Sequence, residues 1–331
     1  MRIAVLGAGA VGARAVRQLA SSPEVAAVTV ADADPKRAAS TCDSIDEPGR
    51  VTSRPVTPAW AEGADVAVLA APVDHRAEAE RLLEAGIAVV SGADGLDDVR
   101  GLVALDAEAA ERGLAVVVGA GFCPGLSDVL AAHAAATFDR VDEIHVSRRG
   151  TGGPACARQH HRALAGEALE WRDGAWVRRR AGSGRELAWF PDPVGAADCY
   201  RAAVPDALLL TAAFPSATRV SARVAATRRD RLTAHLPMLR PPHRETGLGA
   251  LRVEVRGRRG AGRDVVVLGA IDRPAVAAGA VAALAAVAVA RGEVAAGARG
   301  LAGSVEPVPF LAELARRGIK AAAFVGSATG G

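Results

Sequence analysis

The fold of this chain is decided by residues 2–12, whose sequence is Arg2-Ile3-Ala4-Val5-Leu6-Gly7-Ala8-Gly9-Ala10-Val11-Gly12. The part before the first glycine is an apolar run of strand length, and apolar residues at helical spacing follow Gly12. In such a loop the first glycine makes a tight turn, the second lets backbone approach a ligand, and the third lets helix and strand pack closely. Strand, glycine loop and helix in this order predict the first unit of a Rossmann dinucleotide-binding domain.

An acidic residue stands where the adenosine ribose of a dinucleotide is expected. Asp32 follows Gly12 by about 20 residues, at the end of a predicted second strand. A carboxylate there accepts hydrogen bonds from both ribose hydroxyls and repels a 2′-phosphate, so we expect NAD. Lys36 and Arg37 could pair with a 2′-phosphate, so NADP stays possible. The predicted cofactor-binding residues are Gly7, Ala8, Gly9, Ala10, Val11, Gly12, Asp32, Ala70, Ala71 and Pro72.

Short apolar runs alternate with helical patterns through the first third of the chain. This alternation predicts β-α-β units and a parallel sheet buried on both faces. We therefore expect a doubly wound α/β Rossmann domain over residues 1–125. Its predicted strands are Arg2 to Leu6, Val25 to Ala31, Asp65 to Ala70, Ile87 to Ser91 and Leu114 to Val118, and its predicted helices are Arg14 to Leu19, Arg76 to Ala85 and Ala104 to Arg112.

Longer strands are predicted beyond Gly125. In Leu251 to Arg256, apolar and charged residues alternate, which is typical of a sheet with one wet face. Ala275 to Ala290 is mostly alanine and too short for a bilayer span of about 20 residues, so it predicts a buried or interface helix. We expect a second α+β domain with a mixed or antiparallel sheet over residues 126–300, for catalysis and dimerisation, and a segment 301–331 packed on the first domain. The other predicted strands are Val141 to Arg148, Arg219 to Thr227 and Asp264 to Leu268.

Composition restricts the partners and the compartment. The 331 residues carry 40 basic and 37 acidic side chains with the arginines spread out, which argues against a nucleic-acid partner. The start of the chain has no signal-peptide pattern, so we expect a cytoplasmic protein with no membrane partner. The four cysteines lie far apart without a Cys-x-x-Cys pair, which argues against a zinc site and a disulfide framework. Apolar area on the second sheet or the alanine-rich helix favours a homodimer.

Two common acid–base arrangements of dehydrogenases are missing from the sequence. Tyr200 is the single tyrosine and Val204 follows it by four, so there is no Tyr-x-x-x-Lys dyad. The two lysines are Lys36 and Lys320, neither of which is expected at the reaction centre. The candidate catalytic residues are therefore His160, His161 and Asp128, and the candidate substrate-binding residues are Cys123, Arg149 and Arg158. Each also has an ordinary structural explanation.

Residues 119–128, Gly-Ala-Gly-Phe-Cys-Pro-Gly-Leu-Ser-Asp, follow the last predicted Rossmann strand and enter a helix. Here the chain resembles the saccharopine dehydrogenase family, whose members have a Gly and a Pro-Gly-Leu before a helix at the junction of their two domains. Residues 65–86 are similar to the fourth strand and following helix of that family, residues 269–274 to its later catalytic domain, and residues 303–318 to its C-terminal segment. The resemblance implies hydride transfer at a carbon bearing nitrogen, in an amino-acid-like substrate. It fixes no catalytic residue.

Two other interpretations stay open. The helix region from Pro72 to Gly86 is also similar to glucose-fructose oxidoreductase-like sugar dehydrogenases. That family carries Glu-Lys-Pro after the fifth strand, where this chain has Ser91-Gly92-Ala93-Asp94. The absence of an evident acid–base dyad also leaves room for a non-catalytic NAD(P)-binding sensor.

Overall fold

A computed structural model describes the chain over residues 1–238 and 247–324, and over 321–324 it describes the backbone alone. The strands are β1 (Arg2–Leu6), β2 (Ala27–Ala31), β3 (Val51–Arg54), β4 (Val66–Leu69), β5 (Ala88–Ser91), β6 (Ala115–Val118), β7 (Arg140–Arg149), β8 (Glu167–Arg172), β9 (Ala175–Arg180), β10 (Glu186–Trp189), β11 (Ala196–Arg201), β12 (Arg219–Ala225), β13 (Gly249–Arg259), β14 (Gly262–Asp272), β15 (Gly297–Gly300) and β16 (Lys320–Phe324). The helices are α1 (Gly12–Ala20), α2 (Pro35–Asp43), α3 (His75–Glu84), α4 (Leu96–Val103), α5 (Asp106–Glu111), α6 (Leu126–Ala135), α7 (Pro154–Ala163), α8 (Asp206–Ala213), α9 (Arg228–Thr233), α10 (Pro274–Ala290) and α11 (Pro307–Arg316).

The first sheet has seven parallel strands in the order β15-β6-β5-β4-β1-β2-β3. The chain moves from β1 outward through β2 and β3, then returns to β4 on the other side of β1. Side chains of β4, β5 and β6 are all buried, as in a sheet covered on both faces. The predicted doubly wound Rossmann sheet is confirmed, and the crevice for a ligand lies at the carboxyl ends beside β1, where the strand order reverses.

The sequence pattern predicts neither of the outermost strands of this sheet, β3 and β15. β3 exposes three of its four residues, and β15 has the sequence Gly-Ala-Arg-Gly, which has low strand propensity. Each is held by pairing with one neighbour, β2 or β6. Helix α4 was also missed, and the helix predicted at Ala104 to Arg112 is the shorter α5. β15 falls inside the range predicted for the second domain, yet it completes the first sheet.

The second sheet has nine strands and is mixed. Its main order is β10-β11-β12-β7-β13-β14-β16, and β8 and β9 extend it from β12. β12 pairs with β7 in parallel and the other pairs are antiparallel, which confirms the predicted mixed sheet. Asp173 and Gly174 have φ of 51° and 83° and join β8 to β9 as a two-residue hairpin turn. The rings of Trp171 and Trp176 meet across this hairpin, 5.2 Å apart.

Helix α10 lies inside the molecule. Pro274 occupies its first turn and nearly all of its residues are buried. It packs most closely on α1, where a Cβ at Gly279 would come 2.7 Å from Cβ of Arg14. Of the two expectations for this helix, buried or at an interface, the structure supports the buried one, because the same chain already covers its surface. Within residues 1–238 and 247–324, no helix combines the length and apolar character needed to cross a membrane.

The end of the chain contacts both halves of the molecule. α11 packs against α6 and α10, and Arg317 beyond it donates hydrogen bonds to Gln18 and Ser22 at the end of α1. β16 then pairs with β14 of the second sheet. Residues 325–331 of the predicted terminal segment lie outside the described residues. The end of the chain therefore connects the first domain to the second sheet.

Candidate active site

A cavity of about 980 Å³ opens at the carboxyl edge of the first sheet. The loops that follow β1, β4 and β5 form one wall, which we call the Rossmann wall. Residues from Arg148 to Arg162, including most of α7, form the opposite wall, which we call the α7 wall. This is the usual place for a ligand in a doubly wound fold, and the volume lies at the upper end of the range for small-molecule sites.

The three loop glycines have the three different surroundings that the sequence predicts. Gly7 has φ of +101°, and a Cβ there would lie 2.6 Å from the backbone nitrogen of Ala71. A Cβ at Gly12 would lie 1.7 Å from the carbonyl oxygen of Gly7. At Gly9 a Cβ would meet nothing within 4 Å, and this residue lines the cavity. The loop therefore leaves open backbone beside the start of α1, which fits a pyrophosphate group.

Asp32 lines the same cavity and also holds the glycine loop in place. Its carboxylate accepts hydrogen bonds from the backbone nitrogens of Ala8 at 2.7 Å and Asp34 at 2.8 Å. Nη1 of Arg37 lies 3.6 Å from the same carboxylate. Asp34, Lys36 and Arg37 also line this end of the cavity. The structure thus brings together the acid expected to bind the ribose and the cations that could meet a 2′-phosphate.

His75 fixes the loop after β4, where Ala70, Ala71 and Pro72, which the sequence predicts to bind the cofactor, line the cavity. Its Nε2 lies 2.7 Å from the carbonyl oxygen of Ala71, and its Nδ1 lies 2.7 Å from Oγ of Ser91. Because a carbonyl can only accept, Nε2 carries the hydrogen and the Ser91 hydroxyl donates to Nδ1. Both ring nitrogens are used, so this buried imidazole is a positioning group of the wall.

The α7 wall is set directly against the glycine loop. Gly153, with φ of +135°, precedes Pro154 at the first turn of α7, and a Cβ at Gly153 would come 2.9 Å from Cβ of Ala10. The close approach requires glycine, because any side chain there would push the two walls apart. The helix then presents residues three and four positions apart, Cys156, Gln159 and His160, to the cavity.

Three polar side chains from the two walls meet in the cavity. Sγ of Cys156 lies 3.1 Å from Oδ2 of Asp94 and 3.5 Å from Nε2 of His160. Nε2 of His160 lies 3.7 Å from the same Oδ2 of Asp94. Burial lowers the pKa of His160 well below its ordinary value, and the charge of Arg148 lowers it further. Burial and the Asp94 charge raise the pKa of the Cys156 thiol.

Arg148 is a buried cation at the centre of the cleft. Its side chain is 3 % exposed and donates a hydrogen bond to the carbonyl oxygen of Cys123. Among the described residues, its Nε and Nη2 have no hydrogen-bond partner. Burial acts to lower the pKa of Arg148, but nearby groups that include Cys123 and Asp206 outweigh it and raise that pKa. The guanidinium thus stays charged with donor capacity to spare.

The predicted site residues divide between the cleft and its surroundings. Cys123, Arg158 and His160 line the cavity. His161 turns away, and its Nε2 lies 2.9 Å from the carbonyl oxygen of Thr233. Arg149 points to the outside, where it donates to Val194.

Asp128, the third predicted catalytic residue, is fully buried in α6 behind the Rossmann wall. Burial and the charge of Asp206 raise its pKa well above the ordinary range. Like His161 and Arg149, it does not line the cavity, so the structure corrects the expected position of all three. In each case a neighbouring position in sequence or space, and not the predicted residue, faces the cleft.

The sequence did not assign three residues of the cleft to the site, namely Asp94, Arg148 and Cys156. Arg148 directly precedes Arg149, the arginine predicted from sequence, and strand alternation places the two side chains on opposite faces of β7. Cys156 and His160 are four residues apart on a helix that begins at Pro154, a spacing that puts both on one face. Asp94 follows the carboxyl end of β5. These signals were available, but they become a cluster only when the two walls meet.

The comparisons with known proteins agree with this geometry. Residues 2–95 match the family described as NADP oxidoreductase, coenzyme F420-dependent. No curated protein is significantly similar to the chain in sequence. The fold is similar to that of an amine dehydrogenase from Mycobacterium smegmatis, with TM-score 0.54, 13% identity, and coverage of 92% of this chain and 96% of the other.

The fold of this chain is also similar to that of DAP dehydrogenase of C. glutamicum in complex with DAP. The TM-score is 0.54 and the identity 16%, and the likeness covers 96% of this chain and 98% of the other. At these identities, both likenesses show the fold alone. The glycine loop, Asp32 and the match over residues 2–95 together define an NAD(P)-binding Rossmann domain of the kind found in oxidoreductases. The class is that of an NAD(P)-dependent oxidoreductase with a second, mixed-sheet domain.

Proposed function

We propose that this oxidoreductase transfers hydride at a carbon–nitrogen centre of a small, carboxylate-bearing, amino-acid-like substrate, with NAD preferred over NADP. The observation that carries the proposal is Arg148, a buried guanidinium that lines the cleft and has two nitrogens without partners among the described residues. A buried donor without a partner costs free energy unless a ligand supplies an acceptor. A carboxylate is the ligand group that matches a guanidinium fork.

In this proposal, one end of the cleft binds the cofactor and the other end, near Arg148, carries the reacting groups. The open backbone at Gly9 would receive the pyrophosphate, and Asp32 would accept hydrogen bonds from the adenosine ribose. The nicotinamide, when bound, supplies or accepts the hydride. Near Arg148, the carboxylate of Asp94 could take up a proton from a substrate amine, and the imidazole of His160, which its lowered pKa keeps neutral, could accept a hydrogen bond from that amine.

Two arguments favour a carbon–nitrogen centre: the cleft has no lysine near Arg148, and the sequence resembles the saccharopine dehydrogenase family. Lys36 is one of only two lysines in the sequence and lines the cavity beside Asp34, at the adenosine end. The cleft thus offers no lysine near Arg148 of the kind used to protonate a carbonyl oxygen. Proteins named amine dehydrogenase and DAP dehydrogenase share this fold, so the fold is compatible with that chemistry. Membership of the saccharopine dehydrogenase family stays a prediction.

The test is an assay of NADH oxidation with keto acids plus amines, against the same keto acids alone and against sugars. We expect turnover that requires both the carboxylate and the amine. Turnover with keto acids alone, or only with sugars, would overturn the carbon–nitrogen assignment and favour a hydroxy-acid or sugar dehydrogenase. Tight NADH binding with no turnover on any panel would favour the sensor.

Arg158→Ala tests the second arginine of the α7 wall in the same assay. Arg158 lines the cavity, so it can add a second contact to the substrate carboxylate. We expect KM for the acid to rise about tenfold with little change in kcat, because a lost ionic contact weakens ground and transition states together. An unchanged KM would remove Arg158 from the site.

We also propose a cytoplasmic homodimer whose partners are small molecules, without nucleic acid or membrane. With α10 buried, the second sheet is the surface left for dimerisation. Its strands β7 and β13 carry an ionic network that includes Glu143, His145, Glu254 and Arg256, so a contact through that face would be polar. Light scattering at micromolar concentration tests the dimer, and a monomer would overturn it.

The domain limits 1–125, 126–300 and 301–331 stay predictions.

A further inference from the structure

Asp94, Cys156 and His160 bring three different ligand atoms close together. A carboxylate oxygen, a sulfur and an imidazole nitrogen lie 3.1, 3.5 and 3.7 Å apart in pairs. Asp94 belongs to the Rossmann wall, and the other two residues lie one turn apart on α7. All three line the cavity, so the point they share lies at the edge of open space.

These separations can be compared with those around a tetrahedral ion. Bonds from zinc of about 2.3 Å to sulfur, 2.0–2.1 Å to nitrogen and 2.0–2.2 Å to oxygen place ligand atoms about 3.3–3.6 Å apart. The three observed separations agree with that range to within about half an ångström. A small side-chain adjustment would therefore bring all three atoms to bonding distance of one cation.

The arrangement differs from that of a catalytic triad. In a triad, the carboxylate binds the ring nitrogen opposite to the one that meets the nucleophile, so the three groups form a line. Here Asp94 and Cys156 both approach Nε2 of His160, and the two also contact each other. Such a triangle has no relay order. It is the arrangement of ligands around a common centre.

We propose that Asp94, Cys156 and His160 form a zinc-type divalent cation site with an open fourth position in the cleft. Mixed sulfur, nitrogen and oxygen ligands are typical of zinc, and three protein ligands with one open position are typical of catalytic sites. Arg148 opposes a cation here, and the raised pKa of Cys156 means that the ion must displace the thiol proton when it binds. The carboxylate and the resulting thiolate would then offset the added charge. No other Cys, His, Asp or Glu among the described residues joins this group.

The site changes what its residues do in the cleft. An ion bound by both walls would tie α7 to the Rossmann domain, and its open position would receive a nitrogen or oxygen of the substrate. As ligands, Asp94 and His160 would no longer accept a proton or a hydrogen bond from the substrate, and the ion would instead make the bound substrate group more acidic. The metal site does not depend on the proposed reaction, because its occupancy can be measured without substrate.

The experiment uses the full chain, purified without a histidine tag and stripped with a chelator. Zinc is titrated against a chromogenic competitor, and cobalt(II) is followed by the charge-transfer absorption that a thiolate ligand gives. We expect one equivalent to bind, with the thiolate band present and the melting temperature raised. Cys156→Ser should abolish the band and weaken binding by more than about 100-fold, which exceeds the 10–100-fold cost typical of groups behind the ligands.

Two further variants make the result specific. Asp94→Asn removes a ligand from the other wall and should also weaken zinc binding by more than about 100-fold. Cys42→Ser changes a half-buried cysteine of α2 outside the cleft and should leave the titration unchanged. Circular dichroism checks that each variant is folded. Absence of zinc binding by the wild-type chain, or binding that neither ligand variant weakens, would overturn the site, and either outcome leaves the hydride assay to be judged separately.

Discussion

The two walls of the cleft are built from different parts of the polypeptide. The Rossmann wall presents mainly backbone, and its key positions are glycines whose missing side chains make room for neighbouring backbone or for a ligand. The α7 wall presents side chains, with Arg148, Cys156 and His160 supplying charge, sulfur and imidazole. A backbone site requires particular residues at fixed spacing, whereas a side-chain site can be assembled from many positions. The first kind is therefore visible in sequence, and the second becomes visible in three dimensions.

The largest expected effect is a difference in stability between Ala substitutions at two glycines of the Rossmann wall. Gly12→Ala would place a Cβ 1.7 Å from the carbonyl oxygen of Gly7, where the backbone cannot give way. We expect a loss of at least about 4 kcal/mol in the free energy of unfolding, enough to prevent folding of many domains. Gly9→Ala meets open space, so its stability should change by less than about 1 kcal/mol.

Thermal unfolding and NADH titration measure the two halves of this comparison. Gly9→Ala should stay folded and bind NADH about tenfold more weakly or worse, since its new methyl group stands where the pyrophosphate approaches. Equal stability of the two variants would contradict the assigned packing. Unchanged NADH affinity of Gly9→Ala would contradict the assigned pyrophosphate position.

The next effect compares two neighbouring arginines at the end of β7. Arg148→Lys keeps the charge but loses the planar fork, and we expect kcat/KM for the acid substrate to fall about 100-fold. Arg149→Ala should change it less than about twofold, because that side chain bonds to Val194 outside the cavity. Steady-state kinetics of the two variants measures both changes in kcat/KM. A larger loss in Arg149→Ala would restore the residue chosen from sequence.

A smaller effect concerns the choice of cofactor. Asp32→Ala should shift the ratio of NAD to NADP affinities about tenfold toward NADP, because it removes a negative charge beside the 2′ position. The variant also loses the hydrogen bond to Ala8, but that loss affects both cofactors alike and cancels in the ratio. Arg37→Ala should move the ratio the other way. Titration with both cofactors measures it, and an unchanged ratio in Asp32→Ala would refute the ribose assignment.

The sequence predicts the first domain well because period and spacing determine it. Five strands, the glycine loop and Asp32 follow from local pattern, whereas β15 needed the edge of β6 to become a strand. On the α7 wall, strand alternation distinguishes Arg148 from Arg149, but nothing local shows which face of β7 meets the cavity. Asp94 lies far from Cys156 in sequence, so their contact depends on how the domains pack. The argument from missing Cys-x-x-Cys pairs could not detect such a cluster.

The smallest expected effect tests whether Asp128 belongs to the packing behind the Rossmann wall. Burial, followed by the charge of Asp206, raises the pKa of Asp128 above its value in the unfolded chain, about 3.9. The folded state then holds the proton more tightly, so the stability of the wild-type chain falls as pH rises above that value. Asp128→Asn removes this loss, and we expect it to be more stable by on the order of 1 kcal/mol at pH 7 but not near pH 4. Melting curves across this pH range measure the difference, with Glu62→Gln at an exposed position as the control that should show none. A gain that persists at pH 4 would mean that it does not come from the ionisation of Asp128, and a loss at pH 7 would mean that the Asp128 carboxyl makes a favourable contact in the folded protein.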